Sequence, residues 1–303
     1  MVSVFLLSWN HEKYIVKAIE SITAQSYKDI EILYVDNNST DQSYEIATRT
    51  LIESGVKYSA YKRDRNYGIA ANHNYAFTHS SGEFFCPLSA DDWLHKDSIL
   101  MKHRELIKNP DAGMVYSGGY KYYDKIDIYE PFNVITFPSS TAKQELLKQN
   151  FISGIGCLIR RRVIQDVGLW NETYEIEDGD MWVRIISKYR IIGIPDYLFF
   201  YRQHPSSFTS DPERTLRAKM EWLHSNKSMN KSPALTLRNN IESYLSVKVM
   251  QETSLKVLLK VIRHFRFKKH FLSLLLKAIL PVKTKQSLRT RSLLRRFRNV
   301  RPE

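Results

Sequence analysis

Residues 82–93 read GEFFCPLSADDW, an apolar run that ends in the adjacent carboxylates of Asp91 and Asp92 and in Trp93. A short apolar run bounded by polar residues predicts a buried strand of a parallel sheet. The acids then lie at the carboxyl end of that strand, where open α/β sheets bind ligands. Mg²⁺ and Mn²⁺ reach proteins through one or two carboxylates plus substrate phosphates. The pattern predicts a metal–diphosphate site, and the alternative is an acidic loop after a core strand.

Strands and helices alternate in the residues that precede this run. Apolar periodicity predicts strands at 2–8, 30–35 and 56–61 and helices at 14–25 and 69–79. Such alternation favours a parallel sheet with right-handed crossovers. We therefore expect the strand ends that bear Ser8, Asp36 and Asp91 to share one edge of the sheet.

A second acidic cluster begins a helix whose apolar face includes Trp182. The cluster contains Glu175, Glu177, Asp178 and Asp180. Capping and the helix dipole stabilise a helix start by about 1 kcal/mol, which accounts for one of these acids and not for all four. A strand at 198–205 ends in His204, a position at which a lone histidine is more often structural than a ligand.

Two glycines, Gly154 and Gly156, interrupt the apolar segment 151–159. Glycine lets the backbone approach a ligand closely, and it is also common in bent strands. The segment is therefore a candidate ligand contact only in combination with the acidic regions on either side of it.

The basic charge of the chain is concentrated at its C-terminal end. The 303 residues carry a net charge of +13. From Ser254 to Glu303 there are 15 Lys or Arg and one acidic residue, a net charge of +14, whereas the rest holds 30 basic and 31 acidic residues, a net charge of −1. Helical patterns are predicted at 212–230 and 233–252, before this region, and at 254–280 within it, where a basic stretch at 283–301 follows. Basic amphipathic helices bind anionic membrane surfaces, and the alternative is packing on the body or on another subunit.

The remaining features bear on partners and location. A neutral body without a basic stripe or a recognition module argues against nucleic-acid binding.

The two cysteines, Cys86 and Cys157, lie in apolar surroundings, which favours core positions and a reducing compartment. Residues 1–8 lack the basic start of a secretory signal, and no apolar run approaches the roughly 20 residues that span a bilayer. We expect a cytoplasmic protein, peripheral on the cytoplasmic face of the membrane if the tail binds lipid.

Several motifs occur in order along residues 1–205. They are Ser8-Trp9-Asn10, Val35 to Asp41, Asn66-Tyr67-Gly68, Ser89-Ala90-Asp91-Asp92, and Glu177-Asp178 with Trp182. Together they resemble family 2 glycosyltransferases of the GT-A fold. The resemblance implies an α/β fold, with a Rossmann-like, mostly parallel sheet flanked by helices and followed by a basic C-terminal helical region. It also implies a nucleotide-sugar-binding and catalytic domain at 1–210 and a helical basic region at 211–303.

The resemblance further implies a metal-dependent inverting glycosyltransferase of the hexosyltransferase type. Its donor is a nucleotide-diphosphate sugar, with a UDP- or dTDP-sugar favoured over a GDP-sugar, and its acceptor is a hydroxyl of a glycan or lipid-linked molecule in cell-surface polysaccharide synthesis. Mg²⁺ or Mn²⁺ stabilises the leaving diphosphate, and a carboxylate takes the proton of the incoming hydroxyl. The implied roles are Asp178 as catalytic base; Ser8, Trp9, Asn10, Asp36, Arg65, Asn66, Ser89 and Ala90 as nucleotide ligands; Asp91 and His204 as metal ligands; and Asp92, Trp93, Gly154, Glu177 and Trp182 as sugar contacts.

The sequence departs from the family pattern at two positions. Ser89 stands where the family commonly has an aspartate, which removes one carboxylate from the metal and ribose site. His73-Asn74 stands where the family often has Arg-Asn, so the charge near the phosphates depends on the protonation of an imidazole. Ser89 therefore leaves a second function open, that of a catalytically weak or inactive nucleotide-sugar-binding or scaffold protein.

Overall fold

The computed structural model describes residues 1–132, 134–205, 207, 210–226, 229–231, 233–251, 281–297, 300 and 302. The strands of this part of the chain are β1 (Val2–Ser8), β2 (Ile30–Asp36), β3 (Tyr58–Lys62), β4 (Phe84–Ser89), β5 (Trp93–Leu94), β6 (Ala112–Tyr123), β7 (Ile128–Phe132), β8 (Leu158–Arg160) and β9 (Arg190–Gln203). Its helices are α1 (Ile15–Thr23), α2 (Ser43–Ser54), α3 (Ile69–Thr78), α4 (Ser98–Lys108), α5 (Ser139–Lys148), α6 (Arg161–Val167), α7 (Glu177–Lys188), α8 (Pro212–Ser225), α9 (Pro233–Gln251) and α10 (Val282–Phe297).

The described strands form one mixed sheet. Its order is β3-β2-β1-β4-β8-β6-β9-β5, and β7 pairs with β6. Strands β1 to β4 are mutually parallel, whereas β8 runs antiparallel to β4 and to β6. The alternation of strands and helices in the sequence predicts neighbouring parallel strands that are joined by helices. The predicted α/β class, a Rossmann-like, mostly parallel sheet flanked by helices, is confirmed.

The register of the parallel strands brings polar residues to one edge of the sheet. Ser8 at the end of β1 pairs with Asp36 at the end of β2, and Leu7 pairs with Ser89 at the end of β4. The Ala90 N–H then donates to the Leu7 carbonyl at 2.8 Å, which fixes the chain just before Asp91. The prediction that the ends of β1, β2 and β4 share an edge is therefore confirmed.

Burial of the predicted apolar positions holds this edge in place. Every residue of β2 is buried, and α1 buries Ile15, Ala18, Ile19 and Ile22 at helical spacing. Burial of one large aliphatic side chain stabilises a fold by about 1.5–3 kcal/mol. The first strand–helix–strand unit thus supplies a rigid base for the loops that follow β1 and β2.

Contacts divide the chain into two units. The first comprises Met1–Lys121, Pro131–Leu146 and Asn150–Arg202, and the second comprises Tyr122–Glu130, Leu147–Gln149 and Gln203–Glu303. The first unit contains the polar sheet edge and α7. The predicted functional domains, with their boundary between residues 210 and 211, stay a prediction.

The second unit contains the C-terminal helices. Asp211 caps α8, because its side chain accepts hydrogen bonds from the N–H groups of Glu213 and Arg214, and Pro212 lies in the first turn. The helices predicted at 212–230 and 233–252 are observed as α8 and α9, while the one predicted at 254–280 lies outside the described residues. Within the described part of the chain, no helix has both the length and the apolar character needed to cross a membrane.

Candidate functional site

Asp36 is the centre of a hydrogen-bond network at the carboxyl edge of the sheet. Its side chain is buried, and Oδ2 accepts hydrogen bonds from Ser8 Oγ at 2.9 Å and Ser39 Oγ at 2.6 Å. Its Oδ1 accepts one from the Ser39 N–H at 2.8 Å. Tyr34 Oη lies 2.8 Å from Ser8 Oγ, and burial raises the pKa of Tyr34. Asp36 therefore fixes the loop after β2, and its predicted contact with a nucleotide stays a prediction.

The loop after β1 presents Trp9 beside this network. Asn10 has a positive φ of 58°, its N–H donates to Ser39 Oγ at 2.9 Å, and its Oδ1 accepts from the Thr40 N–H at 2.8 Å. Asn10 thus joins the loops after β1 and β2. Trp9 remains 49% exposed, and exposed aromatic rings can stack on nucleobases.

The loop after β3 is joined to the same edge through an asparagine pair. Asn37 Nδ2 donates to Asn66 Oδ1 at 2.9 Å, and Asn37 Oδ1 accepts from the Tyr67 N–H at 3.0 Å. Asn66 Oδ1 also accepts from the N–H of Gly68, which has a φ of 84° where α3 begins. The exposed guanidinium of Arg65 lies 4.5 Å from the Tyr67 ring. The pair places Arg65 and Asn66 beside the loop of Asp36.

His73 supplies no positive charge at neutral pH. Its ring is buried, stacks on Trp170 at 4.8 Å and meets the edge of Phe5 at 4.9 Å. Nδ1 lies 3.0 Å from the Ile69 carbonyl oxygen. Burial lowers the pKa of His73 to about 4. The sequence left the charge at this position dependent on pH, and the burial of the ring in the core favours its neutral form.

The two carboxylates after β4 have different surroundings. Asp92 is buried, and its Oδ1 accepts from the Arg202 N–H at 2.9 Å. Burial, followed by the charge of Asp91, raises the pKa of Asp92 well above its usual range. Arg202 Nε donates to the Asp91 carbonyl at 2.9 Å. Asp91 Oδ2 lies 3.9 Å from His11 Nε2. The buried Asp92 therefore holds the segment after β4 against β9, and Asp91 lies next to the loop after β1.

Asp178 lies in the first turn of α7 and is half-buried, like its neighbour Glu177. Its Oδ1 accepts from the Gly179 N–H at 2.6 Å, and Oδ2 accepts from Asn150 Nδ2 at 3.1 Å. Burial raises the pKa of Asp178, although these two hydrogen bonds oppose the shift. Burial, with the charge of Asp178 second, also raises the pKa of Glu177. A positioned carboxylate with a raised pKa suits a general base.

The segment before β8 connects Asp178 to the β4 edge. A Cβ on Gly154 would lie 3.5 Å from the Trp182 ring and 3.9 Å from Asp178 Oδ2, and a Cβ on Gly156 would overlap Leu94. Gly156 has a φ of 60°, and its N–H donates to the Pro87 carbonyl at 2.9 Å. The glycines therefore allow a close approach of backbone to α7 and to β5.

Both tryptophans predicted to contact a sugar are buried. Trp93 is 6% exposed and stacks on Phe200 at 4.9 Å with an interplanar angle of 8°, and Trp182 is 1% exposed. In this conformation they pack within the fold, and their predicted sugar contacts stay predictions. His204 belongs to the second unit, whereas the other predicted site residues belong to the first. Its predicted role as a metal ligand also stays a prediction.

Several residues at the edge were not predicted from the sequence. His11 lies at Asp91, Asn150 donates to Asp178, Asn37 holds Asn66, and Arg202 holds Asp92. His11 directly follows the Ser8-Trp9-Asn10 motif, so its position in the chain was a usable signal. Asn150 and Arg202 carry no such signal, because their partners are 28 and 110 residues away.

The donor atoms at Asp91 fit a divalent cation that takes most of its ligands from a diphosphate. Among the described residues, no three His, Cys, Asp or Glu side chains are grouped to hold a metal ion. One carboxylate is nevertheless sufficient for Mg²⁺ or Mn²⁺ in nucleotide enzymes, where phosphates and water complete the coordination.

A mostly parallel sheet with carboxylates at its carboxyl edge, an acidic helix start beside it and helices around it is the architecture of GT-A glycosyltransferases. Residues 3–168 match the model of glycosyl transferase family 2, and the chain belongs to that family.

Known proteins are similar in sequence and in fold. The glycosyltransferase GlyA of Streptococcus pneumoniae serotype 4 is 28% identical over 229 residues, which span 69% of this chain and only 31% of GlyA. The mannosyltransferase PcManGT of Pyrobaculum calidifontis, solved with GDP-Man and Mn²⁺, superposes with a TM-score of 0.62 at 15% identity, over 97% of this chain and 86% of that one. TarS 1–349 of S. aureus with UDP-GlcNAc gives a TM-score of 0.55 at 16% identity, over 96% and 92% of the two chains.

Proposed function

We propose that this chain is a metal-dependent inverting glycosyltransferase of the hexosyltransferase type, with its catalytic domain at 1–210. It moves a sugar from a nucleotide-diphosphate donor to a hydroxyl of a glycan or lipid-linked acceptor in cell-surface polysaccharide synthesis. The observation that carries the proposal is Asp178, a half-buried carboxylate fixed by Gly179 and Asn150 next to Gly154. Family membership and the polar edge formed by Ser8 and Asp36 support it.

Each part of the site has a distinct chemical task in this proposal. Asp91 would hold Mg²⁺ or Mn²⁺, and a bound divalent cation supplies Lewis-acid stabilisation of the leaving diphosphate. Trp9, Arg65 and Asn66 hold the nucleotide. Asp178 accepts the proton of the acceptor hydroxyl as that oxygen attacks the anomeric carbon from the face opposite the diphosphate. Because attack and departure occur on opposite faces, the anomeric centre inverts without a covalent enzyme intermediate.

The donor in this proposal is a UDP- or dTDP-sugar. The structural neighbours support a nucleotide-diphosphate sugar in general, since TarS was solved with UDP-GlcNAc and PcManGT with GDP-Man. Under this assignment, we expect the full chain to be stabilised thermally by UDP with Mn²⁺ more than by GDP with Mn²⁺. A shift that is larger for GDP would contradict the donor assignment.

A test of the site uses Asp91→Asn in the same thermal-shift measurement, beside assays of donor hydrolysis and sugar transfer. We expect the variant to lose at least 10-fold in Mn²⁺ affinity while folding normally, and Asp97→Asn, a change of an acid close in sequence, serves as the matched control. Wild-type protein that binds the donor with Mn²⁺ but shows neither hydrolysis nor transfer would favour the alternative of a nucleotide-sugar-binding or scaffold protein, which the serine at position 89 motivates.

We further propose that the C-terminal region holds the protein on the cytoplasmic face of an anionic membrane, where a lipid-linked acceptor would lie. Helix α10 contains no acidic residue, and five cations of this helix are exposed, together with Leu288, which is 49% exposed. These cations are Lys283, Arg289, Arg291, Arg295 and Arg296. A basic residue near an anionic leaflet contributes about 1 kcal/mol to binding.

Sedimentation with phosphatidylserine vesicles tests the membrane contact. We expect the full chain to bind at low salt. Binding should be lost when Arg291, Arg295 and Arg296 are changed to glutamine, and it should weaken at high salt, because both changes reduce the electrostatic attraction to the anionic lipid. The matched control changes three basic residues of the body, Lys57, Lys108 and Lys188, to glutamine. Equal binding of both triple variants would contradict the membrane proposal and favour packing of the tail on protein.

A further inference from the structure

His11 is a histidine at the candidate metal site that the sequence motifs do not include. Its Nε2 lies 3.9 Å from Asp91 Oδ2, and the two side chains are only 16% and 12% exposed. A separation of 3.9 Å is too long for a hydrogen bond, which ends near 3.2 Å between nitrogen and oxygen. The two atoms are therefore close to each other without a hydrogen bond between them.

The main chain at His11 is anchored on both sides. Its N–H donates to Ser43 Oγ at 2.7 Å, and its carbonyl accepts from the N–H groups of Tyr14 and Ile15 at 2.9 and 3.0 Å. Asn10, immediately before it, is held by Ser39. The loop geometry that joins β1 to α1 therefore fixes where the imidazole can point.

The spacing of the two donor atoms is compatible with ligands that share one cation. Metal–ligand bonds of Mg²⁺ and Mn²⁺ are about 2.0–2.2 Å long, so two ligands of one ion lie at most about 4.4 Å apart. The observed separation of 3.9 Å falls within this limit. Ser89 replaces a carboxylate at the same site, so the imidazole would restore a ligand that the usual motif supplies as oxygen.

We infer that His11 is a nitrogen ligand of the divalent cation held by Asp91 and that it selects Mn²⁺ over Mg²⁺. The inference rests on the proposed metal dependence. Magnesium takes oxygen ligands almost exclusively, whereas imidazole is a favourable ligand of first-row transition ions. The selectivity therefore follows from the replacement of one oxygen ligand by a nitrogen.

Pulsed electron paramagnetic resonance tests the inference directly. Full-length protein is loaded with Mn²⁺ and UDP, and electron spin-echo envelope modulation detects nitrogen bound to the metal. We expect nitrogen modulation in the wild type, a changed pattern when the protein is grown with ¹⁵N-imidazole histidine, and loss of the modulation in His11→Gln. His204→Gln tests the histidine that the family resemblance implies as a metal ligand, and under this inference that variant keeps the modulation. We also expect His11→Gln to weaken Mn²⁺ binding three- to tenfold and Mg²⁺ binding less than twofold.

The outcomes separate this inference from the proposed function. Mn²⁺ that binds with UDP in the wild type but shows no histidine nitrogen would overturn the inference and leave the metal dependence intact. Modulation that survives in His11→Gln and disappears in His204→Gln would assign the nitrogen to the second histidine and overturn it equally. A wild-type protein that binds no Mn²⁺ in the presence of UDP would end both proposals. If the His11→Gln variant misfolds, histidine nitrogen that persists in His204→Gln still supports the inference, and its loss in that variant still overturns it.

Discussion

Replacing Asp178 with asparagine is expected to lower the rate of sugar transfer by about 10²- to 10⁴-fold, the usual contribution of a general base. Asparagine keeps the size and one acceptor oxygen of the side chain, so the hydrogen bond from the Gly179 N–H can persist. Donor binding should therefore change less than about threefold. Isothermal titration with UDP and Mn²⁺, beside a transfer assay, separates the two effects. The matched control is Glu177→Gln, one residue away, for which we expect a loss of less than about tenfold.

The pH profile gives an independent test of the same role. Burial raises the pKa of Asp178, so the acid limb of kcat/KM should lie above the range of an ordinary aspartate. Asn150 donates to the charged form and opposes this shift, so Asn150→Ala should move the acid limb to higher pH. Turnover that is undiminished in Asp178→Asn, or an acid limb that does not respond to Asn150→Ala, would remove Asp178 from the reaction.

The parts of this site that could be predicted from sequence are those that depend on a strand and its immediate end. Asp36 and Asp91 each follow an apolar run, and parallel pairing then brings the ends of those runs to one edge of the sheet. The predicted helix at 69–79 and the acidic start of α7 are likewise local patterns, and they are observed close to their expected bounds. Local periodicity was sufficient in these cases because tertiary packing did not oppose it.

The parts that could not be predicted depend on pairs remote in sequence or on burial. From the sequence, His73 takes the position of the family's arginine. In the structure it stacks on Trp170 in the core, and burial lowers its pKa so that the neutral form is favoured. Asp92 reads as a site carboxylate, yet the Arg202 N–H, 110 residues away, engages it inside the protein. Helices α5 and α6 were not predicted from the sequence. A single sequence contains no local signal for such partners.

Lys102 is a buried cation close to this site and should destabilise the fold at neutral pH. The side chain in α4 is inaccessible to solvent, and Nζ donates to Ser98 Oγ at 2.7 Å. A Cβ on Gly156 would lie 3.7 Å from Nζ, which places the amine under the segment that approaches Asp178. Burial lowers the pKa of Lys102 from 10.5 to about 8. At about 1.4 kcal/mol per pKa unit, the charged form costs about 3 kcal/mol below pH 8.

Lys102→Met is therefore expected to stabilise the protein by about 2 kcal/mol at pH 7, after subtraction of about 1 kcal/mol for the lost hydrogen bond to Ser98. Between pH 8 and 10.5 the unfolded chain binds this proton and the folded protein does not, so wild-type stability rises with pH relative to the variant. Urea unfolding at pH 7 and pH 9.5 should show the difference shrink by about 2 kcal/mol. Lys108→Met on the same helix, whose side chain is 69% exposed, is the matched control and should change stability by less than about 0.5 kcal/mol. The prediction is refuted if Lys102→Met is less stable than wild type by the same amount at both pH values. That result would show that the amine of Lys102 stabilises the packing of α4 and that burial of its charge does not destabilise the fold.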